Sequence, residues 1–123
     1  MREERLRTTA GLRSSPSLAL SAWRGRSGKR YVVGVHALSE PELDEMGDAV
    51  VIAVRRDGAG IAEMVSVASS GESPREHLKR TWFDRVRRSG ATEMHVHRLA
   101  DDAAQRSAIV DDLRVDNAES ARA

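Results

Sequence analysis

The chain has 123 residues, of which 40% are hydrophobic, 32% charged and 3% aromatic, and it contains no cysteine. This length suits one ordinary domain with a single core and excludes a large multidomain enzyme. Without cysteine, disulfide scaffolds, thiolate zinc sites and cysteine nucleophiles are excluded. The longest apolar run, residues 49–54, falls far short of the roughly 20 residues that a membrane helix needs. We therefore expect a cytoplasmic protein.

The net charge of +1 conceals an uneven distribution along the chain. Residues 1–30 hold eight Lys or Arg against two Glu, and residues 75–88 hold six bases against two acids. Residues 31–74 hold two bases against eight acids. A basic arm and a basic segment on an acidic body can attract phosphate or an acidic protein surface. The plainer alternative is a solvated, arginine-rich surface.

The N-terminal segment differs in composition from the rest of the chain. Residues 1–29 are rich in Arg, Ser, Gly and Pro and show little apolar periodicity, which predicts a flexible basic extension. Trp23 is the one residue there that we expect to pack onto the domain. The α/β domain itself is predicted over residues 30–117, and residues 118–123 are predicted to form a frayed tail.

The first half of the domain is predicted to contain three strands and one short helix. Residues 31–38 favour a strand, and a capping box with an internal proline favours a helix over residues 40–46. The apolar run at 49–54 predicts a central strand that is buried on both faces. Asp57-Gly58 predicts a hairpin turn, with the glycine at positive φ, that leads into an antiparallel partner strand over residues 61–68.

The second half is predicted to be helix, strand, helix. The capping box at Ser73 predicts a helix over residues 74–89 that is ended by Gly90. Its inward stripe is predicted to be Leu78, Trp82, Phe83 and Val86.

A fourth strand is predicted over residues 91–98, with Met94 and Val96 on one face. Asp101 or Asp102 is predicted to cap a last helix that ends near Arg114, and its inward stripe is Ala103, Ile109, Val110 and Leu113. The order β-α-β-β-α-β-α predicts an α/β (α+β) domain whose mainly antiparallel sheet of three to four strands is flanked by helices.

Four segments together resemble a divergent, catalytically degenerate branch of the GIY-YIG endonuclease superfamily, over roughly residues 23–117. The segments are Trp23-Arg24-Gly25-Arg26-Ser27-Gly28-Lys29-Arg30-Tyr31, the strand at 49–56, Gly90-Ala91-Thr92-Glu93-Met94-His95-Val96-His97, and the helix with Arg106, Asp112 and Leu113. The resemblance implies a hairpin with two tyrosine motifs, a helix with an arginine, and a later helix with a metal-binding glutamate. The implied activity is metal-assisted hydrolysis of a DNA phosphodiester.

The residues that this resemblance assigns to catalysis differ from those of the family. The tyrosine motifs would fall near Val50-Val51-Ile52 and Met64-Val65-Ser66, and neither contains a tyrosine. The base nearest to the helix-arginine position is Arg75. The glutamate position is occupied by Val110, and the neighbouring Asp111 is rotated by about 100° on a helix. We therefore predict a nuclease-like fold without the nuclease reaction.

His95 and His97 alternate on one face of the predicted fourth strand, about 7 Å apart at Cα. That spacing suits a divalent metal if a third ligand arrives from His36, His77 or an acid. The plainer alternative is a pair of strand histidines that face water or a helix. No cofactor is expected, except Mg²⁺ or Mn²⁺ if the chain is a nuclease.

Basic residues are the main candidates for partner binding, and they form two groups. The first group precedes the first predicted strand of the domain and consists of Arg24, Arg26, Lys29 and Arg30. The second group belongs to the predicted 74–89 helix and consists of Arg75, Lys79, Arg80 and Arg87. Such groups can track a phosphate backbone, although the outer side of an amphipathic helix carries the same pattern.

We predict a non-catalytic binding module with a nuclease-like fold that binds nucleic acid or an acidic protein surface through these basic residues. One alternative is a divergent metal-dependent DNA endonuclease that uses His95, His97 and either Asp111 or Asp112. Another is a small phage or mobile-element protein that acts by protein–protein contact. The Arg- and Ala-rich, Lys-poor composition is typical of GC-rich bacterial or phage genomes. The sequence does not predict an oligomeric state.

Overall fold

The computed structural model describes residues 3–6, 20–38, 48–70 and 76–122, and it describes side chains there except at 5, 6, 70, 76–80 and 115–122. The described chain forms six strands and two helices. In chain order these are β1 (Glu3–Leu6), β2 (Leu20–Arg24), β3 (Arg30–Ala37), β4 (Ala49–Arg56), β5 (Ala62–Ser70), α1 (Glu76–Arg88), β6 (Glu93–His97) and α2 (Ala103–Arg122).

All six strands belong to one sheet in the order β1-β2-β3-β6-β4-β5, and every neighbouring pair is antiparallel. The last strand, β6, therefore lies between β3 and β4. The prediction of an α+β fold with a mainly antiparallel sheet and flanking helices is confirmed. The predicted size of three to four strands is wrong, because the sheet has six. The GIY-YIG resemblance stays a prediction.

The two additional strands, β1 and β2, come from the segment that was expected to be a flexible extension. Trp23 in β2 is fully buried, as are Ser21 and Ala22 on either face of the same strand. A strand of five residues that buries a serine, an alanine and one aromatic ring carries no clear apolar alternation. Composition therefore indicates an extension, whereas strand pairing makes residues 3–6 and 20–24 part of the sheet.

The sheet separates two hydrophobic layers, one under each helix. Val50, Ile52 and Val54 of β4 face α2 and pack in a cluster with its Ile109, Val110 and Leu113. The alternate residues Ala49 and Val51 face α1 and pack with Phe83, Met94 and Val96. All six apolar residues of β4 are buried, so the predicted central strand with two buried faces is confirmed.

The helices follow the predicted pattern with two differences. Gly90 has a φ of +97° and ends α1, as predicted. The Gln105 amide donates to Asp102 Oδ1 at 2.8 Å, so Asp102 caps α2. However, α2 continues to Arg122, since no Gly or Pro interrupts it, and the predicted inward position Ala103 is exposed. The predicted 40–46 helix, the Ser73 capping box and the Leu78 side chain lie outside the described residues.

The β4–β5 hairpin closes differently from the prediction. The Gly60 amide donates to the Asp57 carbonyl at 3.0 Å, and the glycine at positive φ is Gly60, not Gly58. The Asp57 carboxylate accepts from the amides of Ala59 and Ile61, both at 2.9 Å. This aspartate fixes the turn through its side chain.

Neither α1 nor α2 combines the length and the apolar character that a membrane-spanning helix requires; this finding covers the described residues.

Candidate functional site

The β2–β3 hairpin carries four exposed basic side chains within seven residues: Arg24, Arg26, Lys29 and Arg30. We call these four residues the basic hairpin. Arg24 and Arg30 are direct partners across the two strands, so both side chains lie on the same face of the sheet. Like charges placed opposite each other destabilise a strand pair by a few tenths of a kcal/mol, roughly 0.2–1. An anion beside the two guanidinium groups reduces that penalty, and the Glu4 carboxylate, 2.9 Å from Arg30 Nη2, is such an anion.

Asp112 of α2 holds the turn of the basic hairpin in place. Asp112 accepts hydrogen bonds from the Ser27 amide, the Ser27 hydroxyl and the Tyr31 hydroxyl, each at 2.7 Å. The Arg26 amide also donates to the Asp112 carbonyl at 3.1 Å. The turn is therefore fixed against the helix while its basic side chains remain in solvent.

The electrostatics of this anchor keep the aspartate ionised and the tyrosine neutral. Burial opposes ionisation of Asp112, but hydrogen bonds from Ser27 and Tyr31 outweigh it and lower the pKa of the carboxyl group. Burial and the hydrogen bond to Asp112 raise the pKa of Tyr31 to about 12. Asp112 is thus a negative charge beneath the hairpin at neutral pH, and it offsets one of the four positive charges.

The predicted helix bases do not extend the basic hairpin in the part of the chain that the structure describes. Arg75 and the side chains of Lys79 and Arg80 lie outside the described residues. Arg87 lies 5.4 Å above the ring of Phe83, as a cation–π pair.

Topology places Arg87 at the opposite end of the sheet from the basic hairpin. β3 begins beside the hairpin turn, and β6 runs antiparallel to β3, so β6 begins at the far end. The last turn of α1 is tied to that end, because the Ala91 amide donates to the Val86 carbonyl at 3.0 Å. Arg87 therefore does not form one surface with Arg24 and Arg30.

His95 and His97 share one sheet face as predicted, but both make hydrogen bonds to the protein. His95 Nδ1 accepts from Trp23 Nε1 at 2.9 Å, and His95 Nε2 lies 2.9 Å from Glu93 Oε1. His97 Nδ1 lies 2.8 Å from the Val32 carbonyl, and the Tyr31 ring packs edge-on at 5.5 Å. The pair therefore resembles core histidines. Residues 3–6, 20–38, 48–70 and 76–122 contain no group of three His, Asp or Glu side chains that could hold a metal ion.

A polar cluster surrounds Arg56 on the face of the sheet that α2 covers. The guanidinium binds Glu93 with two hydrogen bonds, at 2.7 and 2.8 Å, and Glu3 with two more, at 3.0 and 2.9 Å. Glu3 also accepts from the Ser21 hydroxyl at 2.8 Å. We call Glu3, Ser21, Arg56, Glu93 and His95 the Arg56 cluster.

The Arg56 cluster shows that the sheet is strongly curled. In the sheet order, β1 and β4 are separated by three strands, which corresponds to roughly 19 Å in a flat sheet. The side chains of Glu3 and Arg56 do not span that distance, yet they are in contact. The curl therefore brings β1 over the inner face.

The carboxylates of the Arg56 cluster stay ionised because they share one guanidinium. Hydrogen bonds from Arg56 outweigh burial and lower the pKa of Glu93 to about 2. Burial opposes ionisation of Glu3, but hydrogen bonds from Arg56 and Ser21 lower its pKa overall. Burial lowers the pKa of His95, against the opposing hydrogen bond to Glu93. The cluster is therefore a closed set of paired groups at neutral pH.

No protein-family model, no curated protein and no solved structure matches this chain.

Sequence reasoning identified the four basic residues but placed them in or beside a flexible extension, so it missed both the hairpin and the contacts that hold it. The sequence offers Asp111 and Asp112 equally as residues of the nuclease alternative. In the structure Asp112 makes these contacts, and Asp111 is exposed. An aspartate one position before the predicted inward Leu113 was the available signal, since a carboxylate there lies close to the buried stripe. No local sequence pattern predicts the Arg56 cluster, because Glu3 and Arg56 are 53 residues apart in the chain.

Proposed function

We propose that the protein is a non-catalytic module that binds the phosphate backbone of double-stranded nucleic acid through the basic hairpin. The observation that carries the proposal is the direct cross-strand pairing of Arg24 with Arg30, with Arg26 and Lys29 exposed in the turn between them. A rigid turn with four such side chains presents donors to successive phosphate oxygens.

A duplex suits this surface better than a single strand. Single-strand binding proteins stack bases on exposed aromatic rings, and this chain has four aromatic residues. Trp23, Tyr31 and Phe83 are buried, and Trp82 is half-buried and donates to Ser66 at 3.1 Å. Phosphate contacts without stacking carry no sequence information, so we propose sequence-independent binding.

Binding without cleavage is the proposal because two residues of the nuclease alternative are engaged elsewhere. Both ring nitrogens of His95 and both carboxylate oxygens of Asp112 have protein partners. Cleavage of a phosphodiester by a metal ion requires free ligand atoms on such residues.

The test measures affinity of the full chain for a 20-base-pair DNA duplex of arbitrary sequence over a range of salt concentrations. Phosphate contacts give a linear fall of log K with log salt, with a slope near 0.9 for each phosphate neutralised. The double variant Arg24→Glu/Lys29→Glu should abolish binding. The matched control Arg85→Glu/Arg88→Glu makes the same charge change on exposed residues of α1, whose last turn lies at the far end of the sheet. This variant should retain most of the binding.

Two results would refute the proposal. Equal losses in the two double variants would show that net charge, not the basic hairpin, governs binding. Binding to a polyglutamate peptide but not to the duplex would point to an acidic protein partner. Incubation of plasmid DNA with the protein and Mg²⁺ or Mn²⁺ should leave the plasmid intact, and nicking that is lost in His97→Ala would favour the nuclease alternative.

A further inference from the structure

We infer that strand β1 is an acidic strap that competes with nucleic acid for the basic hairpin. The inference rests on the proposed function, since it concerns how the same surface is regulated. Its central contact is the ion pair between Glu4 of β1 and Arg30 of β3, with 2.9 Å between Glu4 Oε1 and Arg30 Nη2.

The two glutamates of β1 hold opposite faces of the sheet, as neighbouring strand residues must. Glu3 points to the inner face and joins the Arg56 cluster, where only 5% of its side chain is exposed. Glu4 points to the outer face, where 55% of its side chain is exposed. Glu3 therefore anchors β1 to the Arg56 cluster, and Glu4 lies at the surface.

The strand register places Glu4 on the face that carries Arg24 and Arg30. Glu4 is opposite Ala22 of β2, and Arg24 lies two residues further along the same strand. Positions two apart on a strand share a face, so Arg24 is a diagonal neighbour of Glu4. Arg30 crosses β2 to reach the Glu4 carboxylate. The contact thus lies over the cross-strand arginine pair that carries the proposed function.

A phosphate at Arg24 and Arg30 would have to replace the Glu4 carboxylate. Both partners of the ion pair are about half exposed, at 46% and 55%, so the exchange requires no unfolding of the core. The same exposure makes the pair weak, because exposed ion pairs contribute little. We therefore expect the strap to lower affinity by about two- to five-fold, which corresponds to the usual strength of such pairs.

The experiment is a double-mutant cycle on the full chain with the 20-base-pair DNA duplex as the probe. Glu4→Gln removes the competing charge and should tighten binding about two- to five-fold, with a salt slope that is steeper by roughly one phosphate contact. In the Arg30→Gln background the same substitution should give a clearly smaller gain, because the arginine that pairs with Glu4 is absent.

Glu63→Gln is the matched control. Glu63 also forms an exposed ion pair, with Arg55, but it belongs to β5, the edge strand opposite to β1 in the sheet order. A gain in Glu4→Gln that equals the gain in Glu63→Gln, or that is undiminished in the Arg30→Gln background, overturns the strap while leaving the proposed function intact. If neither the unmodified chain nor Glu4→Gln binds the duplex, the proposed function fails and the strap fails with it.

Discussion

The carboxylate of Asp112 occupies the space that a side chain on Gly25 would take. A Cβ atom built on Gly25 would lie 2.1 Å from Asp112 Oδ2 and 2.5 Å from its Cγ. In the β4–β5 hairpin the equivalent position is Asp57, whose own carboxylate accepts the amide two residues later, at Ala59. In the basic hairpin α2 supplies that acceptor, and the turn residue must be glycine to admit it.

The basic hairpin and the β4–β5 hairpin have the same backbone hydrogen-bonding pattern. The Gly25 amide donates to the Lys29 carbonyl at 2.8 Å, and the Asp57 amide donates to the Ile61 carbonyl at 3.0 Å. The left-handed residues are Gly28, with φ +93°, and Gly60, with φ +86°. What differs is the source of the carboxylate: the turn itself in one hairpin and a distant helix in the other.

Gly25→Ala should therefore destabilise the protein by at least about 2 kcal/mol, because the methyl group expels the Asp112 carboxylate from its charged hydrogen bonds. Urea denaturation measures this loss. Gly58→Ala is the control, since nothing lies within 4 Å of a Cβ there and its φ is not positive, and it should change stability by less than about 0.5 kcal/mol.

A pair of further variants removes the Asp112 carboxylate and places a carboxylate in the turn itself, at position 25. In the Asp112→Ala background, Gly25→Asp should cost less than it does in the unmodified chain, because the new aspartate can accept the Ser27 amide as Asp57 accepts that of Ala59. Equal costs in the two backgrounds would refute the steric relationship between Gly25 and Asp112.

The tyrosine at the anchor offers a spectroscopic test, because Tyr31 is the single tyrosine of the chain. Its absorbance at tyrosinate wavelengths should titrate with a midpoint near 12, the pKa of about 12 that burial and the Asp112 hydrogen bond produce. In Asp112→Asn the nearby negative charge is gone, so the midpoint should fall toward 10. An unchanged midpoint would show that Tyr31 is not bonded to an ionised Asp112.

Several elements could be predicted from the sequence because their signals are local. The run at 49–54 indicated a strand buried on both faces, and Gly90 indicated a helix end; the structure confirms both. The basic residues of the hairpin were also visible in the sequence. Their arrangement was not, because the opposition of Arg24 and Arg30 depends on the register between β2 and β3.

The remaining features could not be predicted because distant residues create them. The expected packing of Trp23 is confirmed, but the strand that carries it, β2, shows no clear apolar alternation and forms by pairing with β3. Glu3 finds its partner Arg56 through the curl of the sheet. Local propensity describes neither event, since both depend on tertiary pairing.

His95 should make the protein less stable as the pH falls. Burial lowers the pKa of His95 in the folded state, against the opposing hydrogen bond to Glu93, whereas the unfolded chain keeps the ordinary value near 6.5. Below about pH 6.5 the unfolded state therefore binds more protons, and stability is lost as the pH falls toward the folded pKa. Protonation of Nδ1 would also place two donors, His95 and Trp23, against each other.

The measurement is urea denaturation of the unmodified chain and His95→Gln between pH 7.5 and pH 5. The unmodified chain should lose more stability over this interval than the variant, which lacks the titrating ring but retains the other three histidines. Parallel pH profiles for the two proteins would contradict the prediction. This range lies above the titration of Glu93, whose pKa of about 2 results from the Arg56 hydrogen bonds.

Arg55 and Arg56 are neighbours in β4, and they should differ sharply in importance. Arg56 has 15% of its side chain exposed and holds two carboxylates, Glu3 and Glu93, which are 5% and 20% exposed. Arg56→Ala leaves both carboxylates without their shared counterion, so it should cost about 3 kcal/mol or more. Arg55 is 50% exposed and pairs only with Glu63 among the described carboxylates, so Arg55→Ala should cost less than about 1 kcal/mol.

Urea denaturation at pH 7 compares the two alanine variants, and Arg56→Lys provides a further check. Lysine keeps the charge but cannot reproduce two bidentate contacts at once, so Arg56→Lys should recover only part of the loss. Similar costs for Arg55→Ala and Arg56→Ala would mean that the Arg56 cluster adds nothing to stability. The contact between Glu3 and Arg56 would then not be what keeps the sheet curled with β1 close to β4.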